Sequence, residues 1–167
     1  MFLGVPRQIA YVTTDLDRAC ALLGEKYAIK RFLRPEALTL ETEGGGSITA
    51  AFGHAWVGPT WFELIQPLGG DAAGIYSDWL PAEGFGFRLH HFGLRLPDPD
   101  AWDRAVAEAE AKGLRRAVTL NVAGKVAYFD TTSDLGVYLE YIYIGEAGAP
   151  LVAAIPQNLE GYDGADW

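Results

Sequence analysis

Apolar and polar positions alternate along much of this chain, and twice the alternation gives way to a helical period. Gln8-Ile9-Ala10-Tyr11-Val12 reads as a strand, with Gln8, Ala10 and Val12 on one face and Ile9 and Tyr11 on the other. Leu16, Cys20 and Leu23 then recur at helical spacing. Strand-like runs follow at 29–33, 47–57 and 61–67, and residues 37–42 complete a hairpin arm before the turn Gly44-Gly45-Gly46. A glycine-rich interruption runs from Leu68 to Gly74 and on to Gly84-Phe85-Gly86. Beyond it lies a strand through His90 and His91, then a helix with Trp102, Val106 and Ala109 on one face and Gly113 at its end. Strands at 117–122, 126–130 and 137–144 close the series.

The second succession repeats the first. Shifted by 83 positions, Gln8 falls on His91 and Asp15-Leu16-Asp17 on Asp98-Pro99-Asp100. Each Asp-x-Asp opens a helix, because acidic side chains accept the unpaired first-turn N–H groups and suit the helix dipole. The last strands correspond too, Trp61-Phe62-Glu63-Leu64-Ile65 beside Tyr138-Leu139-Glu140-Tyr141-Ile142. The expected fold is α+β: two tandem β-α-β-β-β modules, about 5–70 and 86–145, in one domain spanning 1–145. Residues 146–167 turn to Gly, Ala and Pro, end acidic, and are expected to form a partly ordered tail against the body.

Composition narrows the partners. Half of the 167 residues are hydrophobic, enough for a real core, and the net charge is −9 without a basic stripe. That argues against nucleic acid and anionic membrane. No apolar run reaches the length of a membrane span. Residues 1–7 show no basic region followed by an apolar one, and Cys20 is the single cysteine, so a reducing cytoplasm is the expected compartment. Cys20 itself reads as a small core residue.

Period two also sorts the candidate chemistry. His91 shares a face with Leu89, Gly93 and Arg95, while His90 falls with Phe92, Leu94 and Leu96 on the side expected to lie under the helix. The small residues Ala10 and Gly93 leave room for a ligand, and Gln8 and His91 point into that room. Glu63 shares a face with Trp61 and Ile65, and Glu140 with Tyr138 and Ile142. A buried carboxylate is costly unless it is paired or holds a metal. One at matching places in each half is hard to assign to chance.

These features resemble the vicinal oxygen chelate superfamily, which includes glyoxalase I, methylmalonyl-CoA epimerase, extradiol dioxygenases and bleomycin-resistance proteins. The carriers are Gln8-Ile9-Ala10-Tyr11-Val12, Phe62-Glu63-Leu64-Ile65-Gln66-Pro67, His90-His91-Phe92-Gly93-Leu94 and Gly136-Val137-Tyr138-Leu139-Glu140. The resemblance implies a cupped mixed sheet with helices outside. It also implies a divalent metal held by Gln8, Glu63, His91 and Glu140. Such an oxygen-rich set suits Zn, Ni, Co, Mn or Mg. The implied activity is that of a metal-dependent isomerase, epimerase or lyase. Glu63 or Glu140 would take a proton next to a metal-bound carbonyl of a small oxygen-rich substrate. A ligand-sequestering protein without chemistry is the alternative. An extradiol-type dioxygenase is disfavoured because Gln8 stands where its iron site would use histidine.

Other side chains are candidates for substrate contact. Arg95 either holds an anionic group or pairs with one of the 22 acidic residues. His54 and Tyr138 are candidate cavity residues, and Trp56, Trp61 and Tyr128 could extend an aromatic wall. Edge strands and the apolar composition make a homodimer plausible.

Overall fold

The computed structural model describes residues 5–122 and 124–164. Eight strands form a closed barrel: β1 (Val5–Thr13), β2 (Leu38–Thr42), β3 (Ser47–Val57), β4 (Thr60–Gly69), β5 (Phe87–Arg95), β6 (Arg115–Val122), β7 (Gly124–Thr131) and β8 (Val137–Ile144). Their order around the wall is β1-β4-β3-β2-β6-β7-β8-β5. Helix α1 (Leu16–Tyr27) follows β1 and α3 (Pro99–Ala111) follows β5, both packed outside. The expected α+β fold with helices outside is what the chain adopts. The cup is fully closed, because Glu41 and Thr42 of β2 pair with Asn121 and Leu120 of β6. The strands expected to be free edges therefore meet each other, and the edge-strand ground for a dimer falls away.

The two modules enter their helices in the same way. Asp15 accepts a 2.9 Å hydrogen bond from the Arg18 amide, and Asp98 one of 2.7 Å from the Ala101 amide. Leu16, Ala19 and Leu23 then bury against Ala55 and Leu64, while Trp102, Ala105, Val106 and Ala109 bury against Leu94, Ala127, Phe129 and Tyr141. The inward faces of the strands make a third cluster, with Val12, Phe52, Ile65, Val126 and Tyr128 at its heart. Strands under the helices, such as β4 and β7, are thus apolar on both faces, whereas β2 is largely exposed.

One expected strand is absent. Residues 29–33 stay irregular apart from a single bridge between Leu33 and His54. The Lys30 and Arg31 amides donate instead to the Asn158 side chain, at 2.9 and 2.8 Å. Tail residues thus satisfy backbone that alternation alone assigned to a sheet. Three short helices complete the body: α2 (Gly74–Ser77) in the glycine-rich connection, α4 (Thr132–Leu135) between β7 and β8, and α5 (Ala149–Ala154) in the tail. No helix is long and apolar enough to cross a membrane among the described residues.

Candidate metal centre

Strand register brings the four expected ligands together. β1 runs parallel to β4 with Ala10 opposite Glu63, and β5 parallel to β8 with Gly93 opposite Glu140. β1 and β5 run antiparallel, pairing Gln8 with Gly93 and Ala10 with His91. Position 10 is the repeat-mate of position 93, so this pairing places an internal two-fold between the modules. Gln8, Glu63, His91 and Glu140 consequently converge on the inner wall, all buried.

Their atoms face one another. The Gln8 amide donates from Nε2 to Glu63 Oε2 at 2.8 Å. That turns Gln8 Oε1 inward without a hydrogen-bond partner. Nε2 of His91 lies 3.5 Å from Oε2 of Glu63 and 3.5 Å from Oε2 of Glu140. His91 Nε2 and Glu140 Oε2 are likewise buried and unpartnered. Three orphaned polar atoms in one spot, one of them a carboxylate oxygen, with the Glu63 carboxylate beside them, call for a positive charge, whether a proton or a metal ion. Burial alone would push the His91 imidazole down, but Glu140 and Glu63 outweigh it and hold it up to about 9.

Gly93 makes the room. A Cβ there would stand 2.5 Å from Gln8 Oε1 and 3.0 Å from Glu140 Oε2. Among the described residues no group of three or more His, Cys, Asp or Glu side chains is arranged as a metal-holding cluster. Three oxygen donors and one imidazole fit a divalent cation of the kind the sequence implies.

His90 is not on the helix side. Ala10 pairs with His91 but Tyr11 pairs with Leu89, so His90 is the extra residue of a β-bulge. The bulge turns His90 into the barrel beside His91 and carries Leu89 off the His91 face. Nδ1 of His90 lies 2.9 Å from Nδ1 of His91, and Nε2 of His90 lies 2.8 Å from the Ile75 carbonyl. A carbonyl only accepts, so His90 Nε2 carries a proton. Burial and the neighbouring His91 push His90 down to about 3, so the ring is neutral and its Nδ1 accepts from His91 Nδ1–H. His91 Nε2 is thereby the nitrogen directed at the glutamates. This is the orienting contact that metal-binding histidines ordinarily have.

Glu63 and Glu140 of the quartet line a cavity of about 310 Å³. His54, Trp61 and Tyr128 line it as well, whereas Tyr138 packs on His90 and Trp79. Trp61 donates to His54 Nδ1 at 3.3 Å, and burial holds His54 below its ordinary pKa against the pull of Glu63 and Glu140. Arg95 lies elsewhere, exposed in an outer groove with Arg7, Trp56 and Gln157. Sequence reasoning missed Tyr76 of α2, whose hydroxyl lies 3.1 Å from that of Tyr128. Burial pushes both phenols well up, so they stay protonated. It also missed Leu151 and Val152 of α5, which roof the cavity. The one available signal for Tyr76 was an apolar Ile75-Tyr76 pair inside a glycine-rich connection.

A closed barrel of two β-α-β-β-β modules with helices outside is consistent with the glyoxalase-like fold. Solved structures with this fold that resemble the chain include methylmalonyl-CoA epimerases. The Mycobacterium tuberculosis enzyme is 18% identical, with 88% of this chain and 90% of that one covered at a TM-score of 0.53. A point variant of the Streptomyces coelicolor enzyme, in complex with 2-nitronate-propionyl-CoA, is 18% identical, covering 86% and 96% at 0.56. A third epimerase, in complex with methylmalonyl-CoA and NH4+, is 18% identical, covering 87% and 97% at 0.55. At that identity the likeness is one of fold. No protein-family model matches the sequence, and no curated protein matches it.

Proposed function

We propose that this chain is a metal-dependent isomerase or epimerase that moves a proton on carbon next to a carbonyl. The observation that carries the reading is the convergence of Gln8 Oε1, His91 Nε2 and Glu140 Oε2, all buried and unpartnered, around Glu63. Gln8, Glu63, His91 and Glu140 would hold a divalent cation, which supplies Lewis acidity toward a substrate carbonyl. Glu63 is tethered by the Gln8 amide, which suits it to the role of a fixed ligand. Glu140 Oε2 has no hydrogen-bond partner among the described residues and lies 3.5 Å from His91 Nε2, and in this reading it accepts the carbon-bound proton and returns it. The protonated Tyr76–Tyr128 pair offers a hydroxyl donor at the same wall. The surrounding apolar side chains exclude water from the proton in transit. The fold shared with epimerases supports this class of step.

The test has two parts. Protein purified without chelator is analysed for metal, with about one equivalent expected per chain and loss of metal in His91→Ala. Exchange of the proton next to a carbonyl is then followed in D₂O by NMR. Glu140→Gln should slow exchange by roughly 100-fold or more while retaining part of the metal. Glu63→Gln should lose metal first. Equal exchange in wild type and both variants would end the reading. A cavity that binds ligand without metal would favour the sequestering alternative.

A further inference from the structure

We propose that the substrate is an uncharged, largely apolar carbonyl compound of about ten non-hydrogen atoms, not an acyl-CoA or other anion. The inference rests on the proton-transfer reading above and names its substrate class. The cavity holds about 310 Å³, and a water claims roughly 30 Å³ of liquid, which sets the size.

Its chemistry sets the charge. The lining contains aromatic rings from Phe52, Trp61, Tyr76 and Tyr128 and aliphatic side chains from β2, β6, β8 and α5, but no lysine or arginine. Its only acidic side chains are Glu63 and Glu140. A divalent cation on the quartet is already balanced by those two carboxylates. A substrate carboxylate or phosphate would therefore enter as uncompensated negative charge in apolar surroundings, which is strongly unfavourable. Two cations on strands β6 and β7 are committed elsewhere. Lys125 Nζ lies 2.5 Å from Asp103, and Arg116 pairs with Glu43 at 3.4 Å and Glu110 at 3.0 Å. Leu38, Leu40, Leu120, Val122, Leu151 and Val152 line the remainder, so an anionic group inside would meet aliphatic side chains. The chain's net charge of −9 adds a repulsive field toward anions.

A 2-hydroxy ketone illustrates the step. The C–H bond next to the carbonyl breaks, its proton passes to Glu140, and its electron pair becomes the C=C bond of an enediolate. Return of the proton to the same carbon racemises or exchanges it; return to the former carbonyl carbon, with a hydroxyl proton shift, gives the isomer. No oxidant or reductant is required.

The full-length protein, loaded with Co²⁺ or Zn²⁺, is titrated with 2-hydroxyacetophenone and with its ring-carboxylate analogue, by calorimetry. The same pair and methylmalonyl-CoA are followed by NMR in D₂O. The neutral ketone should bind about 100-fold more tightly than the carboxylate. Val152→Lys should shrink that ratio below about tenfold, while Val152→Met leaves it unchanged. Equal or tighter binding of the carboxylate, or exchange only with the thioester, overturns the substrate class and leaves proton transfer standing. Tight neutral binding without exchange supports the class and overturns proton transfer. Binding of neither probe overturns the class.

Discussion

At the residue scale, the site depends on two positions that carry no donor to the cation. Gly93 faces Gln8 and Glu140 so closely that any side chain must displace one of them. Gly93→Ala is therefore expected to bind metal at least about tenfold more weakly than the parent while keeping the barrel, because strand φ at this residue suits alanine and only the donors are in the way. Metal titration alongside circular dichroism checks both halves of that expectation. His90 supplies the other case. Its neutral ring accepts from His91 Nδ1, so His90→Phe should fill the space yet leave a buried N–H unpaired. A fall of about 10- to 100-fold in metal affinity is expected, smaller than for His91→Ala. Unchanged affinity in His90→Phe would show that the Ile75–His90–His91 chain does not orient the ligand.

At the element scale, the sequence was most informative where local chemistry acts alone. Asp15 and Asp98 open their helices as the Asp-x-Asp pattern says, since a cap needs only its own next turn. Asp98→Ala should cost about 1 kcal/mol of stability by thermal or urea unfolding and leave metal content unchanged, because α3 lies outside the barrel. Cys20 on α1 is half-buried, and burial pushes its thiol up against the opposing Arg34. The thiolate is the reactive form, so alkylation near pH 7 should be slower than for a small free thiol, and it should accelerate on unfolding. Glu63 and Glu140 were legible for a related reason: a charge in an apolar strand has few tolerable explanations. The His90 bulge was not legible. Alternation assumes one residue against one partner, and a bulge changes the face of every residue on its far side. The irregular 29–33 segment was hidden because its hydrogen-bond partner, Asn158, lies in the tail.

At the scale of the whole molecule, the tail joins parts that neither module could join by itself. Asn158 caps the Lys30 and Arg31 amides, Gln157 exchanges hydrogen bonds of 2.9 and 3.0 Å with Gly58, and the Trp56 amide donates to the Pro156 carbonyl at 2.9 Å. From this anchor on β3 the chain runs back through α5, whose Leu151 and Val152 roof the cavity beside Tyr143 and Ile144 of β8. The tail therefore spans the two modules, fastened to the first and lying over the second. Ending the chain after Glu146 removes these bonds and the roof but none of the eight strands or four candidate ligands. The melting temperature should fall by several degrees, each lost kcal/mol being worth about 2–4 °C in a domain near this size. Metal affinity should stay within about threefold, because all four donors sit deeper in the wall. Affinity for a neutral aromatic ketone should drop by at least about tenfold, since two aliphatic walls of its cavity are gone. Calorimetry on the truncated and full-length chains separates these quantities. A truncated chain that binds the ketone as tightly as the full one would place the ligand away from α5. One that loses metal as well would show that the tail holds the wall in register rather than covering it.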